Sequence, residues 1–254
     1  MLKEPRLIGV PVGSTEYFRL QRALIQERPL LKYCYDVWYR AMVRANRNAP
    51  FLPGETLELG SGGSLLSDFV PHLITSDVVE GVADRVVDGR QLPFPDASLQ
   101  AIFMTHTFHH IPDVARFLSE ADRVLKPGGY VAMVEVAHTP LARFFFDKFH
   151  PEPYDDQPSN WDFTQNDSMM DSNQALSWMV FVRDQNEYRR RFPRLAVEDK
   201  QWLPWLTYLL AGGVTMRNLI PSWLVPLLIG LEWLATPLRP LGALHWLLIL
   251  RKLG

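Results

Sequence analysis

Leu57-Glu58-Leu59-Gly60-Ser61-Gly62-Gly63-Ser64 is the stretch on which the reading of this chain turns. Leucines on either side of an acid read as the end of a strand. The glycines that follow let the backbone turn sharply and approach a ligand closely, because a side chain there would occupy the space the ligand needs. A glycine turn also occurs in ordinary strand-to-helix connections, so the flanking sequence has to discriminate between the two.

Working outward, short apolar strands alternate with helical patterns. Strand one covers Thr56 to Leu59, with a helix expected from Ser64 to Val70 that Pro71 ends. Further strands are expected at Leu73 to Asp77, Arg85 to Asp88, Ala101 to Thr105 (within the strand-like run Leu99 to Thr105) and Tyr130 to Ala137. A helix over Val114 to Leu125 repeats apolar residues at Val114, Phe117, Leu118, Ala121 and Leu125 before Pro127 and Gly128-Gly129 stop it. Such alternation is the signature of a parallel sheet covered on both faces. Upstream, 14–27 and 30–47 read as two helices broken at Pro29. Downstream, 138–172 is rich in proline and reads as an irregular insertion, followed by a helix from Ser172 to Arg191. Arg194 to Gln201 and Leu244 to Leu250 complete the strands.

Taken in order, several motifs resemble the class I methyltransferases that use S-adenosyl-L-methionine, in particular the small-molecule group that includes the quinone methyltransferases. They are the glycine turn, Gln91-Leu92-Pro93-Phe94-Pro95-Asp96, His109-His110-Ile111-Pro112-Asp113 and Arg123-Val124-Leu125-Lys126-Pro127-Gly128-Gly129. The resemblance covers roughly 52–138. It implies an α/β fold, a Rossmann-like, seven-stranded, mostly parallel sheet with helices on both faces and an antiparallel last strand. Residues 1–50 would be an N-terminal helical extension over the bound cofactor. Residues 51–254 would be the methyltransferase domain, with hydrophobic helical insertions near 138–190 and 202–240 forming a substrate cover.

The resemblance also implies cofactor contacts at Glu58, Gly60, Ser61, Gly62, Gly63, Asp77, Asp88, Gly89 and Thr105. Asp77, 19 residues after Glu58, is suited to accept hydrogen bonds from vicinal ribose hydroxyls, and Asp88 resembles the acid that binds the adenine amino group. Two departures stand out. Ser64 occupies the place of a third glycine, so Gly63 is expected to supply the backbone freedom and Ser64 to cap a helix. Only 11 positions separate Asp77 from Asp88, too few for a full crossover helix, so a loop or single turn is expected there. S-adenosyl-L-homocysteine would be the product.

Bulk composition bounds the rest. With 254 residues, 47% apolar and 21% charged, the chain suits one domain with a full core. A formal charge of -2 gives no attraction to nucleic acid. The single Cys34 cannot form an internal disulfide, and no signal-like segment opens the chain, so a cytoplasmic setting is expected.

Methyl transfer to a hydroxyl requires a group that takes its proton, and histidine suits the task. His106, His109 and His138 follow the ends of strands four and five and are the candidates. His110 reads as structural. No metal is expected: although His106, His109 and His110 could suggest one, the run is more simply the strand-four turn. There is no Gly-Lys-Ser/Thr phosphate loop and no Gly-x-Ser-x-Gly nucleophile turn.

The tail reads differently. Residues 201–254 hold Arg217, Arg239, Arg251 and Lys252, one acid (Glu232) and five of the eight tryptophans. Prolines at 221, 226, 237 and 240, with Glu232, interrupt the run, so it is not expected to span a bilayer. Its composition suits a hydrophobic small-molecule acceptor or the inner face of a membrane, and Arg189-Arg190-Arg191 suits an acidic acyl carrier protein or a lipid head group. The expected reaction is O-methylation of a hydrophobic, aromatic, polyketide-like or carrier-bound molecule. Carbon methylation of a quinone-like ring, methylation of a lipid-linked glycan, and cofactor binding without catalysis stay open alternatives.

Overall fold

Seven strands follow the sequence order: β1 (Glu55–Leu59), β2 (Leu73–Asp77), β3 (Arg85–Val86), β4 (Leu99–Thr105), β5 (Leu125–Val136), β6 (Leu195–Trp202) and β7 (His245–Lys252). The structure, a computed structural model, describes residues 3–45, 54–167, 170–218 and 220–254. The strands form one sheet in the order β3-β2-β1-β4-β5-β7-β6. β1 to β5 are mutually parallel, while β7 is antiparallel to both β5 and β6, so β7 alone is reversed. This is the expected Rossmann-like sheet. Strand order reverses between β1 and β4, which places the ligand crevice of such a sheet beyond their carboxyl ends.

Period-two alternation separates two cores. Leu57, Leu59, Ile102, Met104, Val131, Met133, Leu248 and Leu250 point to one face. There they meet the helix α3 (Val114–Val124) and the segment 176–192. Ala101, Phe103, Ala132, Val134, Leu247 and Ile249 point to the other. That face is covered by α2 (Pro29–Arg44) and by α7 (Leu206–Ala211), with α1 (Thr15–Glu27) packed on α2. Ser14 caps α1 by accepting from the Tyr17 N–H at 3.2 Å, and Pro29 opens α2 at the position where its missing N–H costs nothing. The end of the second expected helix, residues 46 and 47, lies outside the described residues.

Several local expectations are corrected. The helix expected from Ser64 to Val70 is only a 3-10 turn at Leu66–Asp68. The expected Ser64 cap is not made: Leu65 stands at the N-cap with no side-chain hydrogen bond, while Arg22 Nη1 donates to the Ser64 carbonyl and Ser64 Oγ accepts from the Leu66 N–H at 3.0 Å. The β2–β3 connection has no helix, as its length predicts, and β3 stops at Val86, short of Asp88. β5 begins at Leu125 rather than Tyr130, with a register shift opposite Leu99 to Ala101.

The supposedly irregular 138–172 contains α4 (Pro140–Phe149), because Pro140 sits at its first turn and Thr139 Oγ1 caps it by accepting from the Ala142 N–H at 3.1 Å. The helix expected from Ser172 to Arg191 is broken into α5 (Leu176–Trp178), a π-turn at Met179–Arg183 and α6 (Gln185–Arg191). At the break, the Asp184 carboxylate is held by Trp161 Nε1 at 2.8 Å and by Arg183. Between α7 and β7 lie α8 (Val225–Leu234) and α9 (Arg239–Gly242). Among the described residues no single helix is long and apolar enough to cross a membrane.

Candidate active site

The glycine turn sits at the carboxyl end of β1, tied to β2. The Ser61 N–H donates to the Ser76 carbonyl at 2.8 Å, and the Ser76 N–H to Ser61 Oγ at 3.1 Å. Gly60 and Gly62 have φ of +68° and +46°, which glycine adopts without steric cost. The expected conformational freedom therefore lies at these two rather than at Gly63. Gly63 is needed for closeness: a Cβ on it would lie 3.0 Å from the Arg22 nitrogen and the Phe18 carbonyl oxygen of α1. α1 thus lies directly over the turn.

Asp77, at the end of β2, is buried and faces the same space. Its Oδ2 accepts from the Gly62 N–H and its Oδ1 from the Val79 N–H, each at 3.0 Å, leaving a lone pair on each oxygen for a ligand. Burial raises its pKa, and these backbone N–H groups oppose the rise. Glu58 is fully buried; burial pushes its carboxyl up to about 7, and its Oε1 has no partner within the protein. Asp88 lies across the cavity, half-exposed and held by Arg90 at 2.6 Å, whose guanidinium lowers its pKa. Gly89 contributes backbone there, since a Cβ would lie 2.8 Å from Leu59 Cδ2. Thr105, Gly60, Ser61, Gly62, Gly63, Asp77, Asp88 and Gly89 all line one cavity. The backbone cradle and the open lone pairs of Asp77 fit a polar ligand with hydroxyl and amino groups, the chemistry of S-adenosylmethionine; Glu58, expected among the contacts, is fully buried and does not reach the cavity.

That cavity, about 740 Å³, extends from the glycine turn to a second chemical centre around His109. His109 Nδ1 lies 2.6 Å from Glu135 Oε2, and Glu135 Oε1 accepts from the Thr107 and Phe108 N–H groups at 2.9 and 2.8 Å. Glu135, fully buried on β5, therefore holds the whole strand-four turn. On the other side, His109 Nε2 lies 3.3 Å from Glu152 Oε2 and 3.2 Å from Gln174 Nε2. Gln174 also donates to Glu152. Burial alone would depress the His109 imidazolium, but Glu135 and Glu152 outweigh it and hold its pKa at about 10. Burial would likewise raise Glu152, yet His109 brings it down to about 2.

The other histidines are different. His106 lines the cavity at φ +55°, edge-on to Trp38 and His245, and burial drives its pKa down to about 4. His110 is also pushed down to about 4, by burial and then by the charge on His109. His138 does not reach the cavity: it stacks on Trp178 at 3.7 Å and bonds Tyr154 Oη at 2.6 Å. Its position after β5 suggested the site, but the insertion folds aromatic rings over it. Glu135, Glu152 and Gln174 are residues the sequence reading missed. A carboxylate inside the apolar strand Tyr130 to Ala137 was an available signal for Glu135; nothing local marks Glu152 or Gln174.

Ligand-capable atoms of His109, His110 and Glu152 lie within 4.8 Å of one another, a donor set that suits a divalent cation. The sequence set a metal aside at the histidine run. The pairing of His109 on both nitrogens gives these atoms another use, as a buried ion pair.

Residues 57–133 match the methyltransferase-domain family. The chain thus carries a segment, less than a third of its length, that matches a methyltransferase domain. Its methyltransferase segment is similar to 27-O-demethylrifamycin SV methyltransferase of Amycolatopsis mediterranei, 38% identical over 58 residues, 23% of this chain and 21% of that protein. It is 35% identical over 106 residues to the ubiquinone/menaquinone biosynthesis C-methyltransferase of Brucella anthropi, 42% of this chain and 38% of that one. The match to demethylmenaquinone methyltransferase of Corynebacterium glutamicum is 34% over 92 residues, 35% of this chain and 40% of that protein. The chain thus spans well under half the length of these relatives. In fold it is similar to geranyl diphosphate C-methyltransferase of Streptomyces coelicolor A3(2), solved with Mg2+, geranyl diphosphate and S-adenosyl-L-homocysteine. The TM-score is 0.52 at 15% identity, covering 100% of this chain and 89% of that one.

Proposed function

We propose that the protein transfers a methyl group from S-adenosylmethionine to a hydroxyl oxygen of a hydrophobic acceptor, with His109 taking the hydroxyl proton. The observation that carries this reading is the one chamber whose lining holds the glycine turn, Asp77, His109 and Glu152 together with the rings of Phe145, Phe146, Phe149 and Tyr208. Its volume of about 740 Å³ falls within the range of small-molecule sites and suits a cofactor together with a compact acceptor.

S-adenosylmethionine, when bound, supplies an electrophilic methyl group on a sulfonium. The chain's own part is to hold, orient and accept a proton. Gly60 to Gly63 and Asp77 would hold the ribose and methionine portions, and Asp88 with the backbone at Gly89 the adenine. Glu135 fixes the His109 ring through Nδ1, and an acceptor hydroxyl would reach Nε2, the proton acceptor, by taking the place of Glu152 and Gln174 beside it. Because two carboxylates favour its charged form, His109 is a strong base present in its neutral form mainly at alkaline pH, so the rate should climb as pH rises toward about 10. The apolar wall favours an aromatic or isoprenoid-like acceptor over a free polar metabolite.

The test supplies radiolabelled methyl donor, wild-type protein and an apolar extract. Label should enter the organic phase, and Asp77→Ala should abolish incorporation together with calorimetric binding of S-adenosylhomocysteine. Binding without incorporation into any apolar fraction would overturn the transfer reading and favour a cofactor-binding protein.

A further inference from the structure

The segment 222–242, which holds α8, α9 and a 3-10 turn before each, carries an exposed apolar stripe that no part of the described chain covers. Trp223, Leu227, Leu231, Leu234, Leu238 and Leu241 recur every three or four residues through the bend and are 40–77% exposed. Trp233 adds a second projecting indole, 75% exposed. Such contiguous exposure is rare on a monomeric surface without a binding role.

The ionic groups of this segment sharpen the point. Between 222 and 242 the only charged residues are Glu232 and Arg239. Glu232 is turned inward, where its carboxylate accepts from the Trp205 and Thr207 N–H groups and the Thr207 hydroxyl at 3.0 to 3.2 Å. Arg239 lies 3.8 Å from Glu232 and is mostly buried. Arg239, 25% exposed, is therefore the one charge that the segment 222–242 presents to solvent.

We propose that this face docks the protein on an anionic lipid surface and opens the chamber toward it. Three observations favour lipid over a second copy of the chain. The two helical segments bend by 58° at Ala235, which splits the stripe into short lengths ill-suited to helix pairing but suited to lying in a headgroup layer. Indoles stand out at either end of α8, the placement tryptophan takes at the membrane interface. Finally, α9 packs on α4, whose exposed Phe149 and Lys148 also line the chamber; Lys148 pairs with Asp147 at 2.6 Å and Arg143 with Asp156 at 3.0 Å, while Lys3, also in the lining, lies next to Arg217. An apolar stripe thus runs toward a chamber with cations in its lining, a match for anionic headgroups. A protein partner on the same face would cover it.

Docking is tested without cofactor or acceptor, so its outcome stands apart from the transfer reaction. The full chain is sedimented with vesicles of phosphatidylcholine, with and without phosphatidylglycerol. Wild type should pellet with vesicles, more so with the anionic lipid. Trp223→Ser/Trp233→Ser should partition about tenfold more weakly. Both side chains are exposed, so the variant should keep wild-type S-adenosylhomocysteine affinity, which reports its fold. Wild type staying in the supernatant with both vesicles overturns the proposal. So does equal partition of the variant, or a stable dimer in solution that the variant dissociates while vesicles go unbound.

Discussion

The charge on His109 is the quantity most open to measurement. Glu152→Gln removes one of its two carboxylate partners, 3.3 Å from Nε2, while keeping side-chain size and hydrogen-bonding capacity. An opposite charge at that range shifts a pKa by about 1–3 units, so the His109 midpoint should fall from about 10 into the range of about 7–9. At about 1.4 kcal/mol per unit, the lost pairing amounts to about 1.4–4 kcal/mol. The sign follows from linkage. The folded pKa lies above the ordinary 6.5, so this stabilisation is complete below pH 6.5 and is lost as pH rises through about 10. The variant should therefore be less stable than wild type at pH 6, with the gap closing toward pH 10. Imidazole nitrogen NMR across the pH range reads the charge directly. Wild-type His109 should remain an imidazolium through neutral pH while His106 and His245, depressed by burial, remain neutral. A wild-type midpoint at or below 6.5, or one that Glu152→Gln leaves in place, would refute the argument.

Two substitutions probe the scaffold. Gly60→Ala puts a Cβ 2.4 Å from Thr107 Cγ2 at φ +68°, and should cost about 1–3 kcal/mol in denaturant unfolding and weaken S-adenosylhomocysteine binding. Adding Thr107→Ala should recover part of that loss, and no recovery would mean that the clash is not its cause. Glu232→Ala leaves the Trp205 and Thr207 donors without their buried acceptor and Arg239 without its partner, an expected loss of about 3 kcal/mol. Glu232→Gln, which keeps an acceptor, should lose less; equal losses, or an alanine effect within about 0.5 kcal/mol, would show that the carboxylate is not holding α7.

The sheet and the glycine turn were legible because their signals are local. Strand alternation at 57–59, 73–77 and 99–105, and the glycines that only a tight turn needs, depend on residues close in sequence. The places where the reading failed depend on neighbours far along the chain. Ser64 was read as a helix cap, but the short turn has Leu65 at its N-cap without a side-chain bond, and the Ser64 carbonyl is bound by Arg22, 42 positions away. Pro140 belonged to a proline-rich stretch read as irregular and is a helix start, capped by Thr139. His138 and His109 carry the same side chain at the ends of adjacent strands. They part company because Trp178 and Tyr154 close over one and Glu152 reaches the other.

The sequence alone determined a parallel sheet and a glycine turn facing an acid on the next strand, since periodicity and backbone permissiveness act within a few residues; the reversed last strand came from the family resemblance. Only the tertiary structure decided which titratable groups act together. The Glu135–His109–Glu152 ion pair joins strand, turn and insertion across 43 residues, from 109 to 152, and its charge arises from burial and opposed carboxylates, properties that exist only once those segments are packed against one another.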